Sequence, residues 1–123
     1  MKSFINIILC ICILFSYSIR SEDIPYLLTA SSKGDIESVK AIIDSGGNPN
    51  TEDGNKVTAL MYASRKNQVE VARYLISKGA EVNKQELDGW TALMYASKNN
   101  YSDMVELLIN NNDDLKVTDS DGE

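Results

Sequence analysis

The side chains that most often carry enzyme chemistry are scarce in this chain. The sequence contains no histidine, and its two cysteines, Cys10 and Cys12, both lie close to the N-terminus. Without histidine, a serine or cysteine nucleophile has no imidazole to accept its proton. Structural zinc sites, which use cysteine and histidine, lack their usual ligands in the rest of the chain. We therefore predict that the protein is not an enzyme and that it holds no metal and no cofactor.

The overall charge is acidic. The chain has 18 acidic and 12 basic residues, which gives a net charge of −6. A surface that binds nucleic acid needs clustered lysine and arginine to contact the phosphates. We therefore expect no nucleic-acid partner, and we interpret the abundant carboxylates as solvated surface on turns and outer helix faces.

The first 21 residues have the order of a signal peptide. Lys2 supplies a basic start, residues 4–15 are almost entirely apolar, and small residues follow at Ser18 and Ser21. A transmembrane helix needs about 20 apolar residues, and this run is shorter. The pattern predicts a signal peptide over residues 1–21, cleaved after Ser18 or Ser21, and hence export to a periplasm or out of the cell. The alternative is an uncleaved segment that anchors the protein to a membrane.

One seven-residue sequence, Thr-Ala-Leu-Met-Tyr-Ala-Ser, occurs at residues 58–64 and again 33 residues later, at residues 91–97. A third and more divergent copy precedes them at the same spacing, with Ala30 in the place of Ala63. Repetition at a fixed period predicts stacked supersecondary units. The repeats are expected at about residues 22–52, 53–85 and 86–118, followed by the truncated start of a fourth.

Each copy is predicted to contain two short helices with a polar break between them. Gly34, Asn67 and Asn100 stand at the breaks, because glycine and asparagine tolerate the left-handed backbone conformation. Thr58 is placed to cap the helix that begins after it. The predicted helices span residues 24–32, 36–44, 58–66, 69–77, 91–98 and 102–110.

A single helix pair cannot bury both of its faces, so neighbouring copies must share a core. The third copy has no polar substitutions on its outer face. We therefore expect an uncapped C-terminal face, covered by a partner or a second copy unless the chain is a truncated member of a longer protein. The predicted core consists of Leu60, Ala63, Leu75, Ile76, Leu93, Ala96, Leu108 and Ile109.

These features resemble the ankyrin-repeat family. The 33-residue period and the Thr-x-Leu-x-x-Ala starts are similar to the family pattern T-P-L-H-x-A, with alanine in place of proline and methionine in place of histidine. Residues 79–83, Gly-Ala-Glu-Val-Asn, and the pairs Asp53-Gly54 and Asp88-Gly89 also match. The resemblance implies an all-α ankyrin-repeat solenoid over residues 22–123. Its three helix-turn-helix repeats would be joined by β-hairpin-like fingers.

The resemblance also implies a binding surface, because ankyrin-repeat proteins bind other proteins through their finger tips and inner helix face. Trp90 is either an exposed anchor for a partner or a residue packed on its own finger. Lys33, Arg65, Lys66 and Lys98 either form a basic stripe suited to an acidic partner or are scattered solvated cations. The residues expected to contact a partner are Asn55, Val57, Arg65, Lys66, Leu87, Asp88, Trp90, Lys98 and Asn99.

Two alternatives to a protein-binding module remain at this point. The chain could be a structural subunit that associates with itself, as an oligomer, through its uncapped third repeat. It could also be an inhibitor of an exported enzyme.

Overall fold

The computed structural model describes residues 24–112, and the predicted signal peptide and truncated fourth repeat lie outside this range. Three of the six predicted helices have the predicted bounds, and the other three differ by one or two residues at one or both ends. No helix within residues 24–112 is long and apolar enough to span a membrane. The helices are α1 (Tyr26–Lys33), α2 (Ile36–Asp44), α3 (Ala59–Arg65), α4 (Val69–Ser77), α5 (Ala92–Lys98) and α6 (Ser102–Asn110).

The residues at the helix breaks have the conformations that the sequence predicts. Gly34 has a φ of 76°, Asn67 of 59° and Asn100 of 60°, all in the left-handed region. The Thr58 hydroxyl accepts a hydrogen bond of 3.3 Å from the backbone N–H of Met61, which satisfies a donor that the first turn of α3 leaves unpaired. Each repeat therefore turns sharply between its two helices.

The six helices form two layers. Helices α1, α3 and α5 pack side by side in one layer, and α2, α4 and α6 pack in the other. The two helices of each repeat also pack against each other. This arrangement is the all-α repeat solenoid that the sequence predicts.

The core lies between the two layers. Leu60, Ala63, Leu75, Ala96 and Leu108 are at most 1% exposed, as predicted. Ile76 and Leu93 are partly buried against this core. The prediction for Ile109 is wrong, because its side chain is 43% exposed. Ile109 holds the position of Ile76 in the last described helix, and no later residue among those described covers it.

The fingers precede α3 and α5 and have hairpin-like backbones. In finger one, residues 51–58, the Asp53 N–H donates to the Val57 carbonyl at 3.1 Å, and Glu52 pairs with Thr58 in an antiparallel bridge. In finger two, residues 84–91, the Glu86 N–H donates to the Trp90 carbonyl at 2.9 Å. A bond of 3.1 Å from the Leu87 N–H to the Asn55 carbonyl joins the fingers.

Both Asp-Gly pairs lie at finger turns, but they do not occupy equivalent positions in the repeat. At the repeat spacing, Glu86 takes the place of Asp53, and Gly89 takes the place of Lys56. The left-handed residue is Gly89 in finger two, with a φ of 87°, and Lys56 in finger one, with a φ of 66°. The 33-residue register therefore outweighs the local Asp-Gly signal in finger one.

Candidate partner-binding surface

Five side chains of repeats two and three form one continuous row, which we call the aromatic–cation ladder. The Arg65 guanidinium lies over two tyrosine rings, with its Cζ atom 5.3 Å from the ring centroid of Tyr62 and 5.3 Å from that of Tyr95. The ring centroids of Tyr95 and Trp90 are 5.1 Å apart. The Lys98 ammonium lies 5.5 Å from the Trp90 ring centroid. All three cation–ring distances are within the range of favourable cation–π contacts.

The repeat itself positions the ladder. Tyr62 and Arg65 are three residues apart on α3, so their side chains share one face of that helix. Tyr95 and Lys98 have the same spacing on α5. Because α3 and α5 pack side by side, the Tyr95 ring also comes within cation–π distance of the Arg65 guanidinium.

Two carboxylates tie the ladder to the fingers. Asp53 accepts a hydrogen bond of 2.7 Å from the Tyr62 hydroxyl, and its other oxygen accepts from the N–H groups of Asn55 and Val57. Glu86 accepts one of 3.1 Å from the Tyr95 hydroxyl. Its second oxygen accepts from the N–H groups of Asp88 and Trp90. Each carboxylate therefore closes its own finger and orients the tyrosine nine residues later in the chain.

These contacts reinforce the ordinary protonation states of the groups. Burial opposes ionisation of Asp53, but the hydrogen bonds from Tyr62, Val57 and Asn55 outweigh it and lower the pKa of this carboxyl. The hydrogen bond from the Trp90 N–H is the main reason that the pKa of Glu86 is lowered. Burial and the bond to Asp53 raise the pKa of Tyr62 to about 12. At neutral pH both carboxylates are charged and Tyr62 is neutral.

The structure places Arg65, Trp90 and Lys98, three of the expected contact residues, in the ladder. Trp90 is only partly buried. It packs on Tyr95 of its own repeat while Lys98 lies over its ring, so the two interpretations of Trp90 are not exclusive.

The other expected contact residues lie beside the ladder, with one exception. Lys66 and Asn99 are exposed at the C-terminal ends of α3 and α5. Val57 is the exception, because its side chain is 6% exposed and belongs to the core. It therefore presents no side chain to a partner. Asn55, Leu87 and Asp88, the remaining expected residues, are exposed at the finger tips.

Sequence reasoning missed four residues of this surface. Tyr62, Tyr95, Asp53 and Glu86 determine where Arg65 and Trp90 lie, and none was among the expected site residues. One signal could have found them. An acidic residue stands nine positions before each of the two tyrosines, and both pairs recur at the repeat period.

The C-terminal face of the third repeat is a second candidate surface. Met61 is 1% exposed, whereas Met94, the same position one repeat later, is 46% exposed. An open cavity of about 540 Å³ lies on this face, lined in part by Ser97, Val105 and Ile109. Within residues 24–112 nothing covers the surface that repeat three presents in the direction of stacking.

The N-terminal face has a different character. Tyr26 is 60% exposed at the position where the inner repeats have the buried Ala59 and Ala92. Ser38 stands where repeat two has the buried Val71, and its hydroxyl donates a hydrogen bond of 2.7 Å to Asp35. The inner repeats present small apolar side chains to the repeat before them. The first repeat has a bulky side chain and a polar one at the equivalent positions, so its outer surface differs from theirs.

Comparison with known families agrees with this fold. A family model described as ankyrin repeats in three copies matches residues 27–119. The chain therefore belongs to the ankyrin-repeat family. Proteins with these repeats generally mediate protein–protein interaction and are typically not enzymes. The search of curated proteins finds no match.

Proposed function

We propose that this protein binds another protein through the aromatic–cation ladder and the adjoining finger tips. The proposal rests on the arrangement of the ladder. Arg65, Trp90 and Lys98 make ring contacts there and remain at the surface. Tryptophan, tyrosine and arginine are the residue types most enriched among binding hot spots. Side chains that are fixed before binding lose less conformational entropy when a partner docks.

The finger tips extend this surface beyond the ladder. Leu87 is 62% exposed, and Asn55 and Asp88 are exposed beside it. The backbone bond between Leu87 and Asn55 holds the two tips together as one unit. An exposed leucine next to polar groups and aromatic rings provides the mixed apolar and polar contact area that is typical of protein interfaces.

Affinity capture tests the proposal. The full chain, tagged at its C-terminus and expressed in the cell that makes it, serves as bait beside a Trp90→Ala/Lys98→Glu variant. An Arg73→Glu variant is the matched control, because Arg73 is exposed on α4 and is not part of the ladder. A protein captured by the wild type and the control, but lost with the ladder variant, supports the proposal. Equal capture by all three baits contradicts it.

The proposal includes export of the protein. It is supported by the order of residues 1–21, a basic start, an apolar run and small residues near Ser18 and Ser21. Fractionation of the producing cell, with N-terminal sequencing of the tagged protein, is the test. A chain that begins after Ser18 or Ser21, recovered outside the cytoplasm, is the expected result. An intact N-terminus in the membrane fraction would favour the anchored alternative, and an intact N-terminus in the cytoplasm would contradict export.

A second candidate function is self-association through the C-terminal face of repeat three. The observation that favours it is the difference between the buried Met61 and the 46% exposed Met94. Tyr26 occupies the place of a small buried alanine on the N-terminal face, so two copies would pair through their C-terminal faces rather than stack head to tail. Light scattering on the wild type and a Met94→Glu variant decides between the states. A wild-type dimer that Met94→Glu converts to a monomer supports self-association, and a wild-type monomer at all concentrations removes it.

A further inference from the structure

The Arg65 side chain contacts two aromatic rings, yet its hydrogen-bond donors are not used by the described part of the chain. Its guanidinium contacts the faces of the Tyr62 and Tyr95 rings at 5.3 Å each. No residue among 24–112 accepts a hydrogen bond from it or forms an ion pair with it. A guanidinium that contacts ring faces keeps its N–H donors around the edge of its plane, where a partner could reach them.

The two carboxylates near Arg65 are engaged elsewhere. Their oxygens accept hydrogen bonds from the finger amides and from the two tyrosine hydroxyls. The charge of Arg65 helps to lower the pKa of Asp53 and of Glu86, so the arginine lies in their field without bonding to either. The local negative charge thus keeps the tyrosines oriented and leaves the donors of Arg65 available.

From this geometry we infer that Arg65 is a preformed receptor for a carboxylate, supplied by an acidic side chain in a segment of a protein partner. Planar guanidinium and carboxylate groups pair through two parallel hydrogen bonds, which are stronger than neutral ones. Contact with two aromatic rings restricts the arginine side chain before a partner binds, which lowers the entropy that pairing costs. The inference rests on the proposed function, because it specifies which chemistry the ladder recognises.

Lys98 supports this role without duplicating it. Its ammonium lies over one ring only. A lysine ammonium acts as a point charge and cannot form the bidentate pair of hydrogen bonds that a guanidinium forms with a carboxylate. Arg73, the other arginine of the described residues, is exposed and has no ring contact. Residues 24–112 therefore contain one arginine with ring contacts and one without, which makes Arg73 an internal control.

The test is a titration of the full chain followed by NMR at the arginine Nε–H groups. The probe is the blocked peptide acetyl-Gly-Glu-Gly-Glu-Gly-amide, and the control peptide has glutamine in place of both glutamates. We expect a saturable shift of the Arg65 Nε–H signal with an affinity at least about tenfold higher for the glutamate peptide, as a charged hydrogen-bonded pair implies. The Arg73 signal should show no saturation.

Two variants separate recognition from folding. Tyr95→Leu removes one of the two ring contacts of Arg65 but keeps its charge. This variant should lower the affinity for the glutamate peptide about tenfold. Arg65→Lys keeps the charge but loses the planar fork, and it should weaken binding similarly. Circular dichroism confirms that each variant is folded, and Arg73→Lys is the matched substitution that should bind as the wild type does.

Several outcomes would overturn the inference. An Arg65 signal that responds no more than that of Arg73, equal binding of both peptides, or unchanged affinity in folded Arg65→Lys would each show that Arg65 is not a carboxylate receptor. Affinity capture measures the cellular partner and the titration measures the carboxylate. A failed titration beside successful capture therefore removes this inference and leaves the proposed function in place. A failed capture removes the proposed function.

Discussion

Asp53 and Glu86 perform the same task with side chains of different length. Each accepts two backbone N–H groups of its finger with one oxygen and a tyrosine hydroxyl with the other. Such charge-assisted bonds are stronger when the carboxyl is ionised. The finger geometry therefore depends on the charge of two residues, and this dependence is measurable through pH.

The stability of the protein should fall in acid because of these two carboxylates. Both have a pKa lowered in the folded state, from ordinary values of 3.8 for Asp53 and 4.5 for Glu86. Their contribution is complete above the ordinary values and is lost as the pH falls through the lowered folded values. Urea denaturation at a series of pH values should show a shallower acid loss for the Asp53→Asn/Glu86→Gln variant than for the wild type. Identical pH slopes would contradict this account.

Lys56 is a lysine in a backbone conformation that favours glycine. Its φ of 66° matches the φ of 87° at Gly89, the equivalent position in finger two. A residue other than glycine in the left-handed conformation destabilises the folded state by about 1–2 kcal/mol. Substitution by glycine removes this strain, but glycine loses more conformational entropy on folding, which offsets part of the gain. We expect Lys56→Gly to raise the free energy of unfolding by roughly 0.5–1 kcal/mol, measured by urea denaturation.

The matched control for that substitution is Lys66→Gly. Lys66 has a φ of −110°, which any residue adopts without strain. The added chain entropy should therefore lower the free energy of unfolding by roughly 0.5–1 kcal/mol. A destabilising Lys56→Gly, equal in sign to the control, would show that Lys56 is not strained.

At the scale of elements, helices α3 and α5 present the same peptide in two environments. Met61 of α3 is 1% exposed because repeat three covers it, whereas Met94 of α5 is 46% exposed. Truncation of a buried methionine to alanine costs about 2–5 kcal/mol, and a half-exposed one leaves a much smaller cavity. We expect Met61→Ala to cost about 2–5 kcal/mol and Met94→Ala less than about 1 kcal/mol. Equal losses in urea denaturation would mean that a further element covers Met94.

The helices were predictable because their limits depend on local chemistry. Gly34, Asn67 and Asn100 end the first helices by their tolerance of the left-handed region, and threonine hydroxyls begin α3 and α5. The repeat period was enough to predict burial of Leu60 and Leu75. Ile109 was mispredicted because it stands in the last repeat, where no following repeat within residues 24–112 packs against α6.

The ladder was not predictable from the same reasoning. Arg65, Trp90 and Lys98 were expected to contact a partner because of their positions in the repeat. Their contacts with each other depend on side-chain directions across two repeats. Val57 was misassigned for a related reason. It directly follows the exposed tip residues 54–56 but is buried, and position in the repeat does not show which way a side chain points.

At the scale of the whole molecule, the surface charge is uneven. The chain carries a net charge of −6, yet Lys33, Arg65, Lys66 and Lys98 lie at or near the C-terminal ends of the first helices. If the partner presents acidic side chains here, local attraction opposes long-range repulsion, and salt screens both. We expect the association rate to decrease with ionic strength in the wild type and to do so less in Lys66→Glu/Lys98→Glu. An association rate that does not respond to salt would contradict a basic contact stripe.

The most direct test of the central claim is the indole Nε1–H signal of Trp90 during titration with the captured partner. The chain has one tryptophan, so this NMR signal is unambiguous. If the ladder is the binding surface, the indole signal shifts together with the Arg65 Nε–H signal, while the Met94 methyl signal stays in place. If the Met94 methyl signal shifts and the indole signal does not, the partner binds at the C-terminal face of repeat three, and the ladder only holds neighbouring repeats together.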